Sequence, residues 1–241
     1  MRRKHSGWRW APWMLALGLA ACAPAWAGGD GERAAVSTSR TVAAASIPAA
    51  LKQAVSRAAP ADVPAGASSV LDFVRDAAVS SQEQDAIMRQ LAGQPGGGAS
   101  LEHAVRSGRL MGRFDDLLAG YGYSPRNLGD VLAAHLVIAW EIANGKDSTR
   151  QPAGQRAVRR QLAQPLASVP GVARMSDAAK QAQAERTAYM TMIWAAAYQE
   201  LKDGRDPDQL RSLQDSVRAR FRDTGVDLQR LDLGAGGLVL R

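Results

Sequence analysis

Ser124-Pro125-Arg126-Asn127-Leu128-Gly129-Asp130-Val131-Leu132-Ala133-Ala134-His135-Leu136-Val137-Ile138-Ala139-Trp140-Glu141-Ile142-Ala143-Asn144-Gly145 is the stretch on which the fold turns. It opens with Ser124 as a helix N-cap and Pro125 at the first helical position, where a missing N–H has no partner to lose. It closes on Asn144-Gly145, a pair suited to a left-handed C-terminal cap. Between the caps, Val131 to Ile142 is apolar nearly all round. A helix with no polar face must be covered on every side, so this one is expected at the centre of a bundle.

Working outward, the flanking punctuation is helical too. Gln155 to about Ala163 reads as an arginine-rich surface helix closed by Pro165 and Pro170. Ser176 opens the longest helix, through Lys202, with Met190, Ile193, Trp194 and Ala197 as its apolar stripe. Asp206-Pro207 repeats the cap-plus-proline signal for Asp208 to Asp223, and Gly225 ends it. A turn at Asp227 to Leu231 leads to a glycine-rich stretch, Leu233 to Arg241, read as a flexible or extended tail. On the other side, Ser80 with Glu83 matches a capping box, and Ser100 caps a helix through Leu118 bent at Gly108. Val70 to Val74 fits a short strand or a helical turn equally, and Gln94 to Gly98 is a loop. The expectation is an all-α fold, a single bundle-like domain of about six helices over residues 69–241.

Ahead of that domain, residues 28–68 are rich in Ala, Ser and Pro and read as a disordered linker, with a transient helix from about Pro48 to Arg57 at most. Residues 1–27 read as a signal peptide. Arg2, Arg3, Lys4 and Arg9 form its basic region, Trp10 to Ala21 its apolar run, and Ala25-Trp26-Ala27 before Gly28 its cleavage site. A second processing site competes: Leu19-Ala20-Ala21-Cys22 has the form of a lipobox, which would acylate Cys22 and anchor the chain to the outer membrane. Cleavage between Ala27 and Gly28 is favoured, which places the product in the periplasm or outside the cell.

Composition narrows the functional classes. The formal charge of +7 falls to +3 once the four basic residues of the leader are removed, and the rest alternate with carboxylates. That pattern describes a solvated surface and gives no nucleic-acid footprint. Cys22 is the only cysteine, so neither an intrachain disulfide nor a thiolate metal site can be built.

Tyr121-Gly122-Tyr123-Ser124-Pro125-Arg126-Asn127-Leu128-Gly129-Asp130, followed by Trp140 and Asn144-Gly145, resembles an exported bacterial family known only as a domain of unknown function. Gln181 with Glu185, and Leu228 with Gly237-Leu238, resemble its pattern as well. The resemblance covers most of the chain from about residue 69 onward and implies a helical domain behind a signal peptide and linker. It implies no activity.

The polar positions worth placing are Asn127, Asp130, His135, Gln181, Glu185 and Tyr189. Gln181, Glu185 and Tyr189 are four apart and share one helix face, which favours a polar network between helices. His135 has Asp130 and Glu141 at spacings that miss its face, so it reads as a core histidine and not a metal ligand. Asp130 lies near a helix N-terminus, where the dipole stabilises a carboxylate without catalysis. No Gly-x-Ser-x-Gly elbow occurs, and Gly234-Ala235-Gly236-Gly237 lacks the lysine of a phosphate loop. No catalytic, cofactor-binding or metal residue is assigned.

The leading functional expectation is a non-enzymatic envelope or secreted protein that binds a protein partner or stays docked at the membrane surface. Arg150, Arg156, Arg159 and Arg160 form a segment that reads first as a solvated helix face and second as a surface for an acidic partner. Two alternatives stand beside it. One is a periplasmic hydrolase using carboxylates such as Asp130 and Glu185; the other is a small-molecule carrier with a cavity between helices.

Overall fold

The computed structural model describes residues 46–63, 65–92, 99–204 and 206–241. The signal peptide, Cys22, the Ala27–Gly28 junction, the linker up to residue 45 and the Gln94 to Gly98 loop lie outside the described residues.

The central helix is where the sequence puts it. It spans Leu128–Asn144 and buries 14 of its 17 residues. In chain order the helices are α1 (46–55), α2 (Ala65–Ser69), α3 (Ala77–Ala92), α4 (Ala99–Arg106), α5 (Arg109–Tyr121), this central α6, α7 (Pro152–Ser168), α8 (Pro170–Ala173), α9 (Asp177–Asp203) and α10 (Pro207–Arg222). A 3-10 turn at Leu228–Arg230 then leads into a two-stranded hairpin, β1 (Leu231–Gly234) and β2 (Gly237–Leu240). α9, α7 and α10 pack directly on α6, and α3 and α5 pack on α9. The chain is an all-α domain with this one small sheet among the described residues.

The caps of α6 show how local chemistry sets its ends. The N-cap is Asn127, not Ser124: Asn127 is extended (φ −129°) and its Oδ1 accepts the Asp130 amide at 3.0 Å. Ser124-Pro125 instead forms a turn one step earlier, closed by the Arg126 amide on Ser124 Oγ. At the other end Gly145 adopts φ 63° as expected. The last carbonyls of α6 are covered from α10, where Gln214 reaches Ile142 O and the Arg218 guanidinium reaches Ala143 O. Ser176 and Asp206 cap α9 and α10 as read from the sequence.

Several expectations are corrected by packing. The linker reading fails from residue 46 onward, because Ile47, Ala50, Leu51, Ala54 and Val55 are buried along one face of α1. Their spacing is that of an amphipathic helix once the two alanines are counted. The glycine-rich stretch is a hairpin and not a free tail, with Leu231, Leu233 and Leu238 buried and Gly237 holding φ 96° in its turn. α7 is no surface helix: it runs through Pro165 and buries Gln155, Val158, Gln161, Leu162 and Leu166. The proposed capping box belongs to Asp76, whose Oδ1 accepts the Ala78 amide at 2.6 Å, while Ser80 and Glu83 turn to α9. The helix thought bent at Gly108 is two helices, with Gly108 in the left-handed conformation (φ 69°) between them. α9 is buried well beyond the expected stripe: Tyr189, Met192 and Ala196 are in the core, while Met190, Ile193 and Trp194 are half-buried.

Residues 71–76 form an extended strap across the N-terminal ends of α6 and α9. The Leu128 amide donates to Leu71 O and the Phe73 amide to Arg126 O, both at 2.9 Å, around a single bridge between Asp72 and Asn127. The alternative left open for Val70 to Val74 is thus resolved as extended chain behind the short α2. No described helix is long and apolar enough to cross a membrane.

Candidate functional site

The strap organises the polar residues that the sequence singles out. At its upstream end, Asn127 Nδ2 donates to Asp72 Oδ1 at 2.7 Å and to Ser68 O at 2.9 Å, while its Oδ1 caps α6. Both N–H donors of that buried amide are therefore used, and its oxygen accepts one bond. Asp130, one turn into α6, accepts the Ser124 amide at 2.7 Å and the Arg159 Nε at 2.6 Å from α7. Burial pushes its carboxyl above the usual range, and the Ser124 amide and the Arg159 charge oppose that shift. Lys180, mostly buried on α9, donates its ammonium to Asp72 O at 3.0 Å.

At the downstream end, Gln181 acts as a second backbone. Its Oε1 accepts the Asp76 amide and its Nε2 donates to Asp76 O, both at 2.7 Å. Nε2 also approaches Ser80 Oγ and Glu185 Oε1, and Ser80 donates to the same Glu185 oxygen at 2.7 Å. Arg75 adds a charge above them, paired with Asp115 at 2.7 Å and standing 3.6 Å from Glu185. Tyr189 borders this network through Gln84, and burial with the nearby Glu185 charge pushes its phenol up to about 12.

Asn127 with Asp130, and Gln181 with Glu185 and Tyr189, are thus brought to two ends of one strap, in two networks. Asp130 and Glu185 do not form a facing carboxylate pair: each is committed to its own cation and hydroxyl or amide donors. His135 belongs to neither network. It sits between α6, α9 and α10, stacked on Trp194 with ring centroids 5.4 Å apart and against Phe221 at 5.3 Å. Its Nδ1 meets Thr191 Oγ1 at 2.8 Å, and that hydroxyl already donates its proton to Thr187 O. The Nδ1 must therefore carry the hydrogen. Burial, aided by the Arg220 charge, lowers the imidazole to about 4. Among the described residues no group of three or more His, Cys, Asp or Glu is placed to hold a metal ion.

Two buried polar clusters have no counterpart in the sequence reading. Glu83 and Arg186 form a two-pronged pair between α3 and α9, at 2.6 and 2.8 Å. Under the α6–α7 connection, Glu141 accepts the amide of the fully buried Ser148 at 2.6 Å, and Gln155 Nε2 donates to Ser148 Oγ at 2.9 Å. Burial raises the Glu141 carboxyl, with both Ser148 hydrogen bonds opposing it. Tyr123 closes the cluster by donating its hydroxyl to Gln155 O. No sequence signal marks Ser148, because its partners come from three separate elements.

The arginine-rich segment is divided by the fold. Arg159 turns inward to Asp130, and Arg160 donates its Nε to Pro60 O at 3.1 Å. Arg150 and Arg156 are exposed.

Fold and site together define an all-helical domain whose internal polar residues bind an extended strap of the same chain. The model of a family of unknown function, DUF6683, matches residues 36–241, and the chain belongs to that family. The match begins before α1, in keeping with the packing of that helix into the domain. No curated protein and no solved structure matches the chain.

Proposed function

We propose that this chain is an exported, non-enzymatic binding module that engages an acidic protein partner in the cell envelope. The carrying observation is the division of charge in α7. Arg159 is neutralised by a buried carboxylate and Arg160 is held by a backbone carbonyl, whereas Arg156 faces solvent with no partner among the described residues. An exposed guanidinium without a counter-charge is available for bidentate pairing with a carboxylate on another surface. The leader in residues 1–27 supports delivery to the envelope, with attachment through Cys22 as the alternative to free periplasmic protein.

The hydrolase reading has less support, since Asp130 and Glu185 are each held by their own polar donors and cation; the carrier reading would need an apolar ligand to co-purify. Cross-linking in intact envelopes tests the proposal. The wild-type chain should capture a defined partner, and Arg156→Glu should abolish that capture while leaving the urea midpoint unchanged, as expected for an exposed site. Equal capture by wild type and Arg156→Glu would refute the proposed surface.

A further inference from the structure

A groove of about 240 Å³ runs between α1 and α7, and Gln53, Arg57, Pro60, Arg160, Gln164 and Ser168 form its walls. Two arginines line this one space, and no carboxylate lines it among the described residues. Arg160 is fixed there by Nε on Pro60 O at 3.1 Å and Nη1 on Arg156 O at 3.5 Å. Arg57, Gln53 and Gln164 line the groove as exposed side chains that make no side-chain hydrogen bond to any described residue. The floor is closed by Gln161, whose two N–H donors are taken by Leu238 O and Arg57 O and whose oxygen accepts the Leu238 amide.

Two opposing effects decide what such a groove holds. The C-terminal end of α1 borders it, and helix carbonyl ends carry partial negative charge that repels anions. Gln161 Nε2 covers two of those carbonyls, Ala54 O and Arg57 O, at 3.5 and 2.6 Å. That leaves two arginines, Arg57 and Arg160, lining one small space. An oxyanion between them relieves their repulsion and accepts forked hydrogen bonds from both. The volume lies below the roughly 300–1,000 Å³ of pockets for drug-sized ligands, so the group accommodated is small.

We propose that this groove is a phosphate site, taking the phosphate of a small ligand or of a lipid headgroup between Arg57 and Arg160, with Gln53, Gln164 and Ser168 as further donors. It goes beyond the capture of a protein partner and uses Arg57, just past the end of α1, instead of Arg156. The test is a nuclear magnetic resonance titration of the full chain with inorganic phosphate, repeated with vesicles of phosphatidylglycerol and of phosphatidylcholine. Saturable shifts confined to the amides of residues 53–60 and 160–168 are expected. Arg57→Gln should weaken the affinity about ten-fold, the scale of one charge-assisted hydrogen bond, and added salt should weaken it further. Binding of phosphatidylglycerol vesicles that is lost in Arg57→Gln assigns the site to a headgroup; phosphate binding without vesicle binding assigns it to a free ligand. Shifts that fail to saturate, or that persist unchanged in Arg57→Gln, overturn the proposal. The Arg156→Glu chain should still bind phosphate, so failure here and failure of partner capture are separable.

Discussion

Gln161 and Gln181 each pair a side-chain amide with both the N–H and the C=O of a single residue, Leu238 and Asp76 respectively. Gln161 thereby supplies the partner that the edge of β2 would otherwise lack in a buried place, where an unmatched backbone group costs about 1–3 kcal/mol, and Gln181 does the same for the part-buried backbone of Asp76. The Gln181–Glu185 spacing makes their shared face legible in the sequence. Their partners, Asp76 and Ser80, lie about a hundred residues upstream, so no local pattern announces them. His135 was legible as a core residue for the simpler reason that no ligand spacing surrounds it, and its titration follows from that burial. With a folded value of about 4 against about 6.5 unfolded, the unfolded chain takes up the proton first as pH falls. Stability is therefore fully present above the unfolded value and is lost as pH drops through that window, at up to about 1.4 kcal/mol per pH unit. Urea midpoints measured from pH 7 to pH 4 should fall for the wild type and fall less steeply for His135→Leu, in which Thr191 keeps its own donation to Thr187.

Among the elements, α9 and α10 were readable from their N-caps, Ser176 and Asp206, and α6 from its dense apolar run and its Gly145 C-cap, although its N-cap is Asn127 and not Ser124. α1 was not, since Ala50 and Ala54 on its buried face are also the residues expected of a flexible linker. Small side chains carry little hydrophobic signal yet allow close packing, and only the folded neighbours tell the two apart. The hairpin was missed for a related reason: its four-residue strands gain most of their cover from α7, which the sequence places on the surface. α7 itself misled because buried glutamines read as solvated ones. If α1 is part of the core, Leu51→Ala should lower stability by about 2–5 kcal/mol in urea or thermal unfolding. A tether would show no change, because Leu51 would have no contacts to lose.

Across the whole molecule, the buried polar groups serve architecture. The strap at 71–76 receives Asn127 and Lys180 at one end and Gln181 at the other, so it joins the starts of α6 and α9 to the body of the chain. Charges that could have formed a catalytic pair are instead tied to Arg159 and Arg75. The Gln181 network holds the strap. Hydrogen–deuterium exchange over residues 71–76, comparing wild type with Gln181→Ala, measures this. Faster exchange is expected at the Asp76 amide and its strap neighbours, with α6 protection retained. Unchanged protection across the strap would contradict it.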